Sequence, residues 1–166
     1  MAQSQASPIP RALKEQYMAA IEMLRSAIRR CPDALWNAAD GEKPFWQVAY
    51  HTIYYLDFHT SNSPSDFQPP PSHIPGIHSL AETPSAPLSR EQVEGYLEET
   101  RSRCAALFRH MTLDDLVGPS NFPRRTTPTR VALLLYNLRH VQHHVGTMHP
   151  YLRRKTGNAP KWVAAG

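Results

Sequence analysis

Prolines divide this chain before any other feature does. Seven of the sixteen fall between Ser61 and Leu88, at Pro64, Pro69, Pro70, Pro71, Pro75, Pro84 and Pro87. Proline has no backbone N–H and its ring clashes with the preceding turn, so neither a regular helix nor a central strand survives such a segment. Residues 61–88 are therefore expected to be a long irregular crossover. The segments that flank it are long, and their apolar residues recur at helical spacing.

From about Pro10 to Arg30, Leu13, Tyr17, Ile21, Leu24 and Ile28 form one stripe of a first helix, which Cys31-Pro32-Asp33 ends. A linker through Asp40-Gly41 leads to Pro44, placed as a first-turn proline of a second helix, PFWQVAYHTIYYLDFHT, that runs to about Thr60. The aromatic and β-branched content of that segment would also allow a strand, but its length favours a helix. Ser89 with Gln92 is a capping-box pattern opening a third helix to about Met111 along Val93, Tyr96, Leu97, Cys104 and Leu107. A loop with Gly118, Pro119, Pro123 and Arg124-Arg125 ends at Thr127-Pro128, which predicts an N-cap and first-turn proline for a fourth helix through VALLLYNLRHVQHHVGTMHPYLRR. Gly146 and Pro150 should weaken or kink its final turns.

The expectation is an all-α four-helix bundle, one domain over residues 1–166, with Trp46, Tyr50 and Ile53 inside the core or at its boundary. An extended segment gains about 3.1 Å per residue, so the crossover can return along a bundle about 30 Å long and set the third helix parallel to the second.

Hydrophobic residues are 41% of the chain and charged residues 19%, the balance of a globular protein. The longest apolar run, Val131 to Tyr136, is far short of the roughly 20 residues a membrane span needs. The start, MAQSQASPIPRALKEQY, lacks the apolar core and cleavage site of a secretory signal, so a cytoplasmic location is expected. Cys31 and Cys104 form no C-x-x-C motif and read as reduced, buried thiols. The formal charge of +4 sits largely at Arg124-Arg125 and at Arg153-Arg154-Lys155 with Lys161. Cations in the last turn of a helix are expected from its dipole, and no groove-reading motif accompanies them, so a nucleic-acid partner is not expected.

Nine histidines remain to be explained. His140 and His144 stand at i and i+4, which places both imidazoles on one helix face within reach of a single ion. His143, at i+3 from His140, competes for the same role, and spacing alone does not choose. A third ligand must come from elsewhere. His51 is the candidate, because it lies in the aromatic second helix with Tyr54, Tyr55 and Phe58 on its side, whereas His73 and His78 lie in the proline-rich connection. A lone histidine on an apolar face is more often a hydrogen-bonded core residue, so the case depends on the two helices converging.

The run FWQVAYHTIYYLDFH, followed some ninety residues later by YNLRHVQHHVGTM, resembles the DinB-like (YfiT-like) superfamily of metal-binding four-helix bundles. The resemblance extends over essentially the whole chain. It implies one metal ligand from the second helix and an H-x-x-x-H pair from the fourth, which carries over onto His51, His140 and His144 and leaves His143 as a neighbour. One departure is visible: the family often has Gly-Gln shortly after the pair, and here Thr147 follows Gly146. Three neutral imidazoles leave a position for water or substrate, the composition of a catalytic site. Nitrogen donors suit zinc, nickel, iron or copper and do not suit magnesium or calcium; zinc or nickel is expected. The resemblance further implies a homodimer and a thiol-dependent S-transferase acting on a small electrophile with a low-molecular-weight thiol, with metal-dependent hydrolysis as a near relative. A non-catalytic metal-binding or stress-related binding protein is the alternative. No general base is assigned: Tyr54, Tyr55, Asp57 and Asn137 lie near the ligands in sequence, but each also reads as core packing or a solvated polar residue.

Overall fold

In a computed structural model that describes residues 8–39, 43–82, 84, 86–123, 126–158 and 160–166, every long periodic segment is a helix. Helix α1 is Pro8–Arg30, and its stripe of Leu13, Tyr17, Ile21, Leu24 and Ile28 is buried throughout. A single turn, α2, follows at Asp33–Trp36 and carries the buried Trp36. Helix α3 is Phe45–Thr60, α4 is Arg90–His110, α5 is the short Leu113–Val117, and α6 is Arg130–Thr156. Neither α2 nor α5 was anticipated, since a one-turn helix has no periodicity to read. The linker residues Asp40-Gly41, the Arg124-Arg125 pair and the first seven residues lie outside the described residues.

The capping box at α4 is complete: Ser89 N–H donates to Gln92 Oε1 at 2.8 Å, and Gln92 N–H donates to Ser89 Oγ at 3.3 Å. Two other starts differ from expectation. Pro44 is the N-cap of α3, with extended ψ of 142°, and so precedes its first turn. The N-cap of α6 is Thr129, whose hydroxyl accepts from Ala132 N–H at 3.3 Å, and not Thr127. Thr127 precedes a proline, which disfavours helical backbone there. The chain instead pairs briefly with itself, Ser120 N–H donating to Pro128 O at 3.0 Å and Arg130 N–H to Gly118 O at 2.9 Å. At the other end, α6 runs unbroken through Gly146 and Pro150 to Thr156 and stops at Gly157, whose φ of 72° suits a left-handed cap. Both residues are exposed, so water can serve the Gly146 carbonyl that the proline leaves without a donor.

Contacts along the helices give their directions. Between α3 and α4, Tyr50 meets Tyr96, Asp57 meets Tyr96 and Arg103, and Thr60 meets Cys104, so both rise together and are parallel. Between α1 and α4 the order reverses, from Arg25 with Glu98 to Tyr17 with Phe108. Helix α6 runs antiparallel to α3, with Arg130 at Ser61, Asn137 at Leu56 and Tyr151 at Phe45. It is parallel to α1, where Tyr17 donates to Leu134 O and His149 meets Met23 O. The bundle is thus up, down, down, up, and α1 and α3 sit chiefly between α4 and α6. The crossover makes that parallel pair possible.

Two arginines knit helix ends together. Arg90, at the start of α4, donates to the Ile28 and Cys31 carbonyls at the end of α1. Arg130, at the start of α6 and only 7% exposed, donates to the Thr60 and Ser61 carbonyls at the end of α3 at 2.9 and 2.8 Å. Each places a cation on the last carbonyls of a neighbouring helix, where the dipole favours it. One apolar core fills the interior, with Trp46, Tyr50 and Ile53 all buried. Cys31 and Cys104 are buried free thiols whose pKa values burial pushes up, to about 11 and about 12. Among the described residues no helix is long and apolar enough to cross a membrane.

Candidate metal centre

The antiparallel contact of α3 with α6 brings the middle of one against the middle of the other. His51 Nε2 lies 3.1 Å from His140 Nε2, and His140 Nε2 lies 3.1 Å from His144 Nε2. Ligand atoms of all three fall within 4.8 Å of one another. Packing decides between the two spacings left open by the sequence. A helix turns about 100° per residue, so His144 lies about 40° to one side of His140 and His143 about 60° to the other. Val141, Val145 and Met148 are buried with His144, and α3 lies on that side; His143 is exposed.

The donor set fits a metal ion. A ring nitrogen has one in-plane position, holding either a proton or a lone pair, so His140 Nε2 can satisfy one of its two neighbours by a hydrogen bond and not both. An ion between the rings serves all three. A tetrahedral ion with metal–nitrogen bonds of about 2.0–2.1 Å separates its ligand nitrogens by about 3.3 Å, close to the 3.1 Å from His140 to each of the other two. The tautomer of His51 is also set. Its Nδ1 is 2.7 Å from the carbonyl oxygen of His78. A carbonyl only accepts, so Nδ1 carries the proton and Nε2 presents its lone pair to the centre. Burial lowers the pKa of His51, and that of His144 falls to about 3, through burial first and then the neighbouring His140, His51 and His143. Uncharged imidazoles are the form that binds a metal.

The proline-rich crossover builds part of this centre, which sequence reasoning missed. Gln47 is fully buried and its amide donates to the carbonyls of Ser79 at 2.8 Å and Glu82 at 2.6 Å. His73 Nδ1 bonds the Tyr50 hydroxyl at 2.8 Å, and His78 stacks on Tyr54 with ring centres 4.4 Å apart. These ties hold the His78 carbonyl against His51. A backbone carbonyl leaves no mark in a sequence, but two histidines and a buried glutamine facing a loop were the available signal.

Of the polar neighbours named from the sequence, only Tyr55 joins the histidines, its ring 4.9 Å from His51 and 5.5 Å from His140. Tyr54 faces the crossover. Asp57 turns towards α4, where Arg103 grips both carboxylate oxygens at 2.9 and 2.8 Å and Tyr96 donates at 3.0 Å. Asn137 is buried and donates to Leu56 O at 3.1 Å. Asp57 and Asn137 therefore hold helices together.

A four-helix bundle whose facing helices converge three imidazoles defines a class: helical-bundle proteins with a tri-histidine cluster able to coordinate a divalent metal. Residues 16–148 match the DinB superfamily, and the chain belongs to it. No curated protein and no solved structure matches the chain significantly.

Proposed function

We propose that this protein is a metal-dependent enzyme in which His51, His140 and His144 hold zinc or nickel, and which transfers a low-molecular-weight thiol to a small electrophile. Iron is the next candidate ion, and hydrolysis of a small electrophilic substrate at the same centre is the related reading. The observation that carries the proposal is the convergence of three Nε2 atoms, one of them held in the ligating tautomer, in a set that leaves coordination positions open. When bound, such an ion supplies the Lewis acidity that keeps a thiol deprotonated or brings a water towards neutral acidity.

The protein's own groups do the rest. The His78 carbonyl keeps the proton on His51 Nδ1, while the Tyr55 ring packs against His51 and His140 and limits water on that side. In the overall transfer the thiol gives up its proton, its sulfur bonds to the electrophilic carbon, and the leaving group departs with its electron pair. We place the protein in the cytoplasm as a single domain, working as a two-fold homodimer on a small-molecule substrate, with no nucleic-acid partner. An apolar groove of Ile9, Leu13, Leu135 and Leu138 between α1 and α6 supports association. A monomeric mass by light scattering would count against the dimer.

The test is metal analysis of protein purified without a nickel column, followed by a matrix of thiols and electrophiles. Turnover that needs both the metal and a thiol supports the transferase. Turnover with metal and water alone selects hydrolysis. Stoichiometric metal with no turnover across the matrix leaves the non-catalytic, stress-related metal-binding reading.

A further inference from the structure

One stripe of α3 holds the crossover. Gln47, Tyr50, His51 and Tyr54 stand at i, i+3, i+4 and i+7, and each of them engages residues 73–82. The Gln47 amide donates to Ser79 O and Glu82 O, the Tyr50 hydroxyl bonds His73 Nδ1, and His51 Nδ1–H donates to His78 O. Tyr54 stacks on His73 and His78, with ring centres 5.4 and 4.4 Å from its own. The backbone of this stretch closes short turns on itself. Ile74-Pro75-Gly76-Ile77 has the proline and left-handed glycine of a type II turn, with Gly76 at φ 84° and Ile77 N–H donating to Ile74 O at 3.0 Å. Ser79 N–H then donates to Gly76 O at 2.9 Å. Ile77 is buried in the core and gives the segment a resting position. The side chains of α3 supply the polar ties.

His51 is the member of that stripe that also belongs to the histidine cluster. Its Nε2 faces His140 and its Nδ1 faces the His78 carbonyl, so one ring joins the two. A neutral imidazole carries one proton and has two tautomers. With the proton on Nδ1 the ring donates to His78 O; with the proton on Nε2 it turns a lone pair against that oxygen. An ion at the cluster needs the Nε2 lone pair and therefore admits the first tautomer alone. Coordination also withdraws electron density from the ring, which makes Nδ1–H a stronger donor. A ligand shifts an equilibrium only through such a difference between its states.

We propose that residues 73–82 are a strap that the metal fastens: an ion on His51, His140 and His144 locks His51 Nδ1–H onto the His78 carbonyl and holds this segment closed over α3. The proposal rests on the histidines holding a metal. The loaded and the metal-free protein then differ in how often the strap opens. An outer partner of a ligand is worth about 10–100-fold in metal affinity, and linkage requires the ion to favour the closed strap by the same factor.

The experiment is amide hydrogen exchange on the full chain, followed by nuclear magnetic resonance, in metal-free protein and in protein shown by elemental analysis to hold one zinc. The Ile77 and Ser79 amides report opening of the strap, and the Leu97 and Leu134 amides report the buried helices. Without metal the strap amides should exchange faster than the helix amides, and zinc should slow them about 10–100-fold. In His140→Ala, which leaves the strap's own ties in place, zinc at the level that loads the parent should produce no slowing. Strap amides that exchange no faster than the helix amides without metal would overturn the proposal, because the strap would then have no opening of its own. An unchanged rate in zinc-loaded protein, or slowing that persists in His140→Ala, would overturn it as well. Failure of the parent to take up zinc would strike the metal reading, and the strap with it.

Discussion

Replacing Gln47 with leucine should weaken metal binding more than it weakens the fold. The side chain is fully buried, and both amide hydrogens go to crossover carbonyls, Ser79 O at 2.8 Å and Glu82 O at 2.6 Å. Leucine is similar in size, so the cost is the lost bonds and not a cavity. Because the crossover is itself partly solvated, water can replace much of what is lost, and about 1–2 kcal/mol of stability should go. For a chain of this length that lowers the melting temperature by about 2–8 °C. The metal site should respond differently. The freed crossover no longer presses the His78 carbonyl on His51 Nδ1, and loss of such an outer partner typically reduces metal affinity about 10–100-fold. Zinc affinity is measured by competition with a chromophoric chelator, melting on the metal-free protein, and the His51 Nδ1–H by its proton resonance. His78→Ala, which keeps the carbonyl and loses only the stacking on Tyr54, should lower zinc affinity less than Gln47→Leu does. If Gln47→Leu kept parental affinity and an unchanged Nδ1–H resonance, the crossover would not be what orients His51.

Three further outcomes are expected. Four-ligand structural zinc sites bind with about 10–16 kcal/mol, or roughly 3–4 per ligand, so His51→Ala, His140→Ala and His144→Ala should each cost about two to three decades of affinity. By elemental analysis His143→Ala, His59→Ala and His149→Ala should retain parental stoichiometry; loss on His143→Ala with retention on His144→Ala would refute the assignment. Arg130→Met strips two charge-assisted bonds from the end of α3 and should cost about 2–4 kcal/mol, seen as a lower denaturation midpoint. In the metal-free protein the His144 pKa is depressed to about 3 from 6.5, so the unfolded chain takes up a proton first as pH falls. Stability is therefore full above about 6.5 and declines towards pH 3, which denaturant titrations across that range will show; a flat profile would contradict it.

The four long helices were legible because their apolar stripes and proline boundaries are local properties of the chain. The parallel pairing of α3 and α4 followed from the length of the connection. Less was legible where a tertiary partner decides the outcome. Spacing left His143 and His144 equivalent, and only the side of α6 on which α3 packs separates them. Thr127-Pro128 carries a valid start signal, yet Thr129 is the cap because the chain bridges back to Gly118 first. Asp57 and Asn137 lie near the ligands in sequence, but helical phase turns them to other neighbours. The crossover was legible as irregular and not as part of the site, since its contribution is a carbonyl.

His51 and His140 are 89 residues apart, and the carbonyl that orients His51 belongs to neither helix. Such a centre cannot form in a partly made chain. While the protein is being synthesised, α1, α3 and the crossover emerge with one of the three imidazoles, and the pair on α6 arrives only with the last of the bundle's helices. Closing so long a loop has an entropic cost that docking of α6 against α1 and α3 recovers. Binding of an ion by this cluster would therefore be a late event, coupled to completion of the bundle, and a truncated or misassembled chain is left without the three converged imidazoles.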